Sequence, residues 1–382
     1  MAIFNCLSLY IHIPFCIKKC RYCDFYSERC DAPVIDNFID SLVHEWDLLK
    51  NKRRLEGVPI ATLFFGGGTP SILSPAQWHT IHDRLIKRLP LSDDCEWSIE
   101  CNPDSFSVEK AMLWNSIGAT RLTFGVQSFD ERELRLAGRA HTAKRAGEVL
   151  DEPVLACFPS IGIDLMYGLP GQTLQSLEMS LNAVFSHSVI NHLSLYELTI
   201  GDRTKFGRHR GLLPLPSEDT VARMTECIMR TTREHGFARY EVSNFARSGH
   251  HCRHNMAYWG HAPYIGLGPS AHSYLPPERF SNVNNVHRYI TLLEHGKLPA
   301  DFSETIDAEM MSREMVFLGL RTVEGINEER FQENTGMPFC SGARKPLLEK
   351  FLRRKYMIYR KPFWALTEQG MLFADAVARE LS

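Results

Sequence analysis

A chain of 382 residues is too long for one small domain and has room for a barrel-sized unit plus an appendage. Its 43 Lys and Arg nearly cancel its 45 Asp and Glu, leaving a formal charge of −2, so no global basic field points to nucleic acid and no acidic excess to a solvating tail. Hydrophobic residues make up 44%, an ordinary globular share, and no apolar run approaches the roughly 20 residues that a membrane helix needs. The opening "MAIFNCLSLYIHIPFC" lacks a basic n-region and a small-residue cleavage site, so no signal peptide is expected. Eleven cysteines, an odd count without an export signal, predict metal or cluster ligation in a reducing cytoplasm rather than a disulfide framework.

Six short β-rich runs follow in order, at 7–13, 61–67, 96–102, 121–127, 160–166 and 192–198. Helical patterns lie between them. "VIDNFIDSLVHEWDLLK" sets Ile35, Phe38, Ile39, Leu42, Val43 and Trp46 on one face, and "VEKAMLWNSIG" repeats the pattern and stops at Gly118. Strands alternating with helices predict a parallel sheet, because parallel neighbours need crossover connections. Six units are too few for a closed eight-fold barrel. The α/β fold expected is therefore a (β/α)6 partial barrel over residues 1–205, with ligand groups at the carboxyl ends of its strands.

Residues 201–219 read as a long loop, and "TVARMTECIMRTTREHGF" as a helix closed by Gly236. The polar and aromatic stretch from 239 to 274 completes a barrel extension, placed at 206–302. From 303 the order is three helices, a hairpin in "KYMIYRKPFWALTE" and a last helix, which predicts a smaller, mainly helical, winged-helix-like domain over 303–382. The basic run "RKPLLEKFLRRKYMIYRK" reads as a solvated helix face rather than a nucleic-acid surface.

The stretch "FCIKKCRYCDFYSERC" (15–30) spaces Cys16, Cys20 and Cys23 as Cys-x-x-x-Cys-x-x-Cys directly behind the first strand. A structural zinc site there needs a fourth ligand, from Cys30, Cys6 or His12. Three thiolates instead suit a [4Fe–4S] cube whose fourth iron stays open for a small molecule.

"YIHIPFCIKKCRYC" resembles the signature of the radical S-adenosylmethionine (SAM) superfamily, and within it the branch of oxygen-independent coproporphyrinogen III oxidase and its heme-chaperone relatives. "GGGTPSIL", "IECNPDS", "FGVQSFDERELRLAGRAHT", "IDLMYGLPGQT", "YEVSNFA", "RHNMAYWG" and "LGLRTVEGI" follow that branch in order across nearly the whole chain. The resemblance implies a [4Fe–4S] cluster on Cys16, Cys20 and Cys23, SAM on the open iron, and an electron donor for the cluster.

The glycine run after the second strand lets backbone approach a ligand or simply turns tightly; the resemblance implies that Gly67, Gly68 and Thr69 meet SAM. It implies the same for Glu100, Gln127, Arg139 and Asp164, each of which alone is a cap or a surface charge. Tyr10 and Tyr22 align as packing or backbone contacts.

Oxidases of the branch carry one more cysteine where this chain has Phe25, and a longer segment before the motif. Both departures point to the heme-chaperone relatives. In "RHNMAYW" (253–259) the resemblance implies heme binding, with His254 as iron ligand, Tyr258 and Trp259 as a stacking wall, and a heme-acceptor protein as partner. The same residues also read as a satisfied structural histidine, or as a small metal site from His250, His251, Cys252 and His254.

Overall fold

The computed structural model describes residues 5–29 and 31–382; Cys30, one expected source of a fourth zinc ligand, lies outside them. All six expected strands form: β1 Leu7–Ile13, β2 Ile60–Gly67, β3 Leu91–Cys101, β4 Arg121–Gln127, β5 Ser160–Tyr167 and β6 His192–Glu197. They pair in sequence order, every pair parallel. Their carboxyl ends therefore share one edge, where Ile13 stands beside Gly67 and Asp164 beside Ser194.

Helices cover the sheet where their apolar stripes demand it. In Ala32–Arg53 the residues Ile35, Phe38, Ile39, Leu42, Val43, Trp46 and Leu49 are buried, the 3.6-residue spacing of a core-facing stripe. The second expected helix is Val108–Ser116, capped by the Ser107 side chain, and Gly118 turns the chain at a φ of 104°. The third is Glu218–Glu234, capped by Ser217, with Gly236 at a φ of 77° beyond its end. Inside the expected loop 201–219 the chain makes two short helical turns, Lys205–Arg208 and Arg210–Leu212.

The sheet continues past both ends of the six. Beyond β6 come β8 (Asn244–Ala246) and β7 (Ala238–Arg239), antiparallel. Beyond β1 comes β9 (Tyr264–Leu267), parallel to it, then β10 (His272–Leu275), β11 (Glu278–Asn282) and β12 (Ala300–Thr305), antiparallel. The result is an open twelve-stranded sheet with β12 and β7 as its edges. None of the added strands exceeds six residues, too short for alternation to declare itself in sequence. β12 also straddles the expected boundary at 302/303.

The last part has its own core, including Val316, Phe331, Phe339, Leu348, Phe351 and Trp364. Helices Ala308–Gly319, Glu328–Thr335 and Arg344–Arg353 precede the hairpin of β14 (Met357–Arg360) and β15 (Phe363–Leu366), with β13 (Ile326–Asn327) paired to β15. This is the expected winged-helix order. Among the described residues no helix is long and apolar enough to cross a membrane.

Candidate functional site at the carboxyl ends of the strands

The cysteine loop leaves β1 and is pinned at its base. Cys16 N donates to Glu28 O at 3.0 Å and Glu28 N to Pro14 O at 2.7 Å. Two of the three sulfurs contact residues that follow the strand ends. Cys16 Sγ lies 3.4 Å from Thr69 Oγ1, and Arg139 Nη1 donates to Cys20 Sγ at 3.2 Å. Asn102 joins these two contacts: its Nδ2 donates to Thr69 Oγ1 at 3.0 Å, and its Oδ1 accepts from Arg139 Nη2 at 2.6 Å. Sequence reasoning passed over Asn102, although it stands two residues after Glu100 in "IECN".

Among the described residues no group of three or more His, Cys, Asp or Glu side chains is gathered to hold one metal ion. The two described candidates for a fourth zinc ligand are poorly placed. Cys6 is exposed. His12 is buried with both nitrogens engaged, by Tyr10 Oη at 3.0 Å and Tyr26 O at 2.9 Å, and burial pushes its pKa down to about 4. Among the described residues, His250, His251, Cys252 and His254 are not gathered around one point either, and His251 stacks on Tyr240 at 4.3 Å.

The glycine run packs closely against the chain's own first strand and cysteine loop. A Cβ on Gly67 (φ 103°) would meet the His12 ring at 2.4 Å, and one on Gly68 would meet Phe15 O at 2.7 Å. Their amides are also engaged, by Glu100 Oε2 at 3.1 Å and Ile13 O at 2.8 Å. The close approach these glycines permit is thus to the chain's own first strand and cysteine loop. Towards a ligand they offer no side chain and no free N–H, only carbonyl oxygens, which can accept from an ammonium group.

Glu100 and Asp164 face each other across the mouth. Burial pushes the Glu100 carboxyl up to about 8, and Asp164 adds to the rise. Burial pushes Asp164 up to about 6, against a hydrogen bond from Ser194. Asp164 Oδ1 and Arg139 Nε are buried and lack hydrogen-bond partners. Buried polar groups are rarely left so, and together they offer acceptors for a cation or hydroxyl beside a donor for a carboxylate. That combination fits an amino-acid-bearing nucleoside such as SAM. Gln127 ends β4 at a bulge with a φ of 73°, left-handed backbone that a non-glycine side chain adopts at a cost. Tyr22 sits in the same loop, with its ring 6.5 Å from that of Phe206.

A cavity of about 620 Å³ opens beside this mouth, lined by Tyr10, Phe25, Phe64, Glu100, His254, Tyr258, Tyr264, His272 and Tyr274 among others. Tyr258 and Tyr264 meet edge to face at 4.6 Å, and the Phe64 ring stacks on His254 at 4.9 Å. Phe25 stands at its rim, 68% exposed. Trp259, expected in the stacking wall, does not line it; it borders a separate smaller hollow beside Arg330 and Phe363.

His254 lies where the motif put it but is not a free imidazole. Its Nδ1 is 2.7 Å from Thr62 Oγ1 and its Nε2 is 2.9 Å from Tyr258 Oη. It is 1% exposed, and burial holds its pKa down at about 3. Both nitrogens being engaged, it cannot ligate iron without releasing one of these hydroxyls.

A parallel sheet of this kind, with three cysteines on the loop after its first strand and carboxylates at the next strand ends, defines the radical SAM class. Residues 10–184 match the model of the radical SAM superfamily, and residues 306–373 that of the HemN C-terminal domain. The chain is 36% identical to the heme chaperone HemW of Bacillus subtilis (strain 168), over 97% of both chains. It is 33% identical to the heme chaperone HemW of Escherichia coli (strain K12), again over 97% of both. It is also 33% identical to the mitochondrial radical S-adenosyl methionine domain-containing protein 1 of Mus musculus, over 85% of this chain and 75% of that one. The chain belongs to the HemW family of the radical SAM superfamily. The solved structure of coproporphyrinogen III oxidase (HemN) from Escherichia coli has the same fold, with a TM-score of 0.85 over 99% of this chain and 90% of that one, at 22% identity.

Proposed function

We propose that this protein is a heme chaperone: it binds heme in the cavity beside the strand ends and passes it to an acceptor protein. The observation that carries this is the 620 Å³ cavity walled by Phe64, Tyr258, Tyr264 and Tyr274, in a chain similar end to end to proteins described as heme chaperones. A flat apolar macrocycle suits an aromatic wall of that size.

Cys16, Cys20 and Cys23 would hold the [4Fe–4S] cluster, and Glu100, Gln127, Arg139 and Asp164 would hold SAM. When bound, the two supply one-electron chemistry next to the cavity. The chain's own contribution is positional. The Thr69–Asn102–Arg139 hydrogen bonds brace Cys16 against Cys20, and Arg139 brings a positive charge to thiolates that must shed their protons to bind iron. Gly67 and Gly68 let the cysteine loop pack onto β2. Thr69 acts through Cys16, and Tyr10 fixes His12 beneath the mouth.

An electron donor for the cluster and a heme acceptor are the partners of this reading, with no nucleic acid among them. The ten described cysteines are all free, which supports a cytoplasmic setting. The second reading, coproporphyrinogen III oxidation, keeps the cluster and SAM but puts Phe25, exposed at the cavity rim, where that branch carries a further cysteine.

Anaerobic incubation of the reconstituted chain with SAM, a reductant and coproporphyrinogen III separates the two. The chaperone reading expects no carbon dioxide above background. Carbon dioxide released in step with 5′-deoxyadenosine would replace it with the oxidase reading.

A further inference from the structure

Four imidazoles line the cavity: His12, His254, His261 and His272. Heme recognition through an axial bond needs a nitrogen lone pair that faces the macrocycle and is not already engaged. Three of the four are poorly placed for that. His12 and His254 are engaged at both ring nitrogens. His261 is held at Nε2 by Glu314 Oε2 at 2.9 Å, and its side chain is only 7% exposed.

His272 differs on each count. It opens β10 and is exposed. No hydrogen bond, ion pair or ring contact of its side chain is found among the described residues. Strand alternation puts it on the same face as Tyr274, two residues on, which pairs with Tyr264 on β9. The Tyr264 and Tyr274 rings lie 6.3 Å apart and continue to Tyr258, 4.6 Å from Tyr264. The free imidazole therefore borders an aromatic wall. Partial desolvation of the ring, with the nearby Arg279 charge, holds its pKa below the usual imidazole range, so the ring is neutral and its lone pair available at neutral pH.

We infer that His272, and not His254, is the imidazole that coordinates heme iron in the cavity; this rests on the heme reading above. His254 is instead a positioning residue, fixing Tyr258 and Phe64 in the wall. The two roles leave different signatures. Losing an axial ligand changes the spectrum of whatever heme remains bound and is repaired by added imidazole. Losing a wall support weakens binding but leaves the iron ligation unchanged.

The test uses the full chain, reconstituted with its cluster, and hemin as probe. Wild type, His272→Gly and His254→Ala are titrated while the Soret band and the low-temperature electron paramagnetic resonance of the ferric iron are recorded. Iron content and thermal midpoint report folding. His272→Gly is expected to lose the histidine-ligated spectrum, bind hemin at least tenfold more weakly, and recover the spectrum with millimolar imidazole. His254→Ala is expected to keep the wild-type spectrum on the hemin it still binds. The assignment is overturned if His272→Gly keeps the wild-type spectrum, or if His254→Ala alone loses it and imidazole restores it. A wild-type chain with no saturable Soret change overturns the heme reading itself, an outcome distinct from a ligand that merely moves.

Discussion

Arg139 Nη2 donates to Asn102 Oδ1 at 2.6 Å, and that bond completes a hydrogen-bonded path from Cys16 through Thr69, Asn102 and Arg139 to Cys20. Two thiols four residues apart in sequence are braced against each other through the ends of β2 and β3 and a residue beyond β4. The loop geometry for iron is thus set by the sheet as well as by the loop itself.

Asn102→Ala removes both central bonds. It is expected to cost about 2 kcal/mol of unfolding free energy in the iron-free chain, as hydrogen bonds involving a charged group commonly do. It should also speed iron loss to a chelator from the reconstituted chain. Urea unfolding and the chelation rate check it; unchanged values for both would remove Asn102 from the brace.

Replacing Cys16, Cys20 or Cys23 singly with Ala should each abolish the roughly four irons per chain and the broad visible absorption of a [4Fe–4S] cluster. Cys6→Ala should not, because Cys6 is exposed and precedes the start of β1, whereas the loop follows its end. Iron analysis after anaerobic reconstitution decides it. Uptake of zinc alone by the wild type contradicts the assignment.

Much of this site was legible in the sequence. The six parallel strands are short β-rich runs that alternate with helical patterns, so their order and carboxyl edge follow from pattern, and the cysteine spacing marks the loop. The brace was not legible, because Asn102 earns its place through Thr69 and Arg139, 33 and 37 residues away. Nor was the state of His254. Its motif gives its location, but the Thr62 hydroxyl that engages Nδ1 lies 192 residues upstream. The packing of Gly67 against the His12 ring was not legible either, because only the β1–β2 register reveals it.

SAM binding should strengthen as pH rises from 6 to 8. Glu100, with a pKa of about 8, and Asp164, at about 6, are wholly or partly protonated at the lower end. Each must ionise to hold a cationic or hydroxyl-rich ligand, so affinity is lost as pH falls. The gain is expected to approach tenfold per pH unit while Glu100 titrates. Glu100→Gln should bind weakly and flatten that profile. Equilibrium dialysis with SAM across the range reads it, and a pH-independent wild type rules the mechanism out.

Gln127→Gly should hold or raise thermal stability while weakening SAM binding. The left-handed backbone at a φ of 73° costs a side-chain-bearing residue about 1 kcal/mol, which glycine avoids. The side-chain amide, whose Nε2 gathers with Asn102 Oδ1 and Arg139 Nη2 beside Gly125, is lost with the substitution. A thermal melt and a SAM titration on one preparation test both halves; a large fall in melting temperature with SAM affinity intact contradicts them.

Heme retention tests the central claim most directly. The reconstituted chain is loaded with excess hemin, passed through gel filtration, and assayed for heme per chain by the pyridine hemochromogen absorbance. The account predicts about one heme retained per chain, with a Soret band shifted from free hemin, as an aromatic-walled cavity with one axial ligand requires. Heme stripped completely on the column, leaving an iron–sulfur spectrum alone, would contradict it.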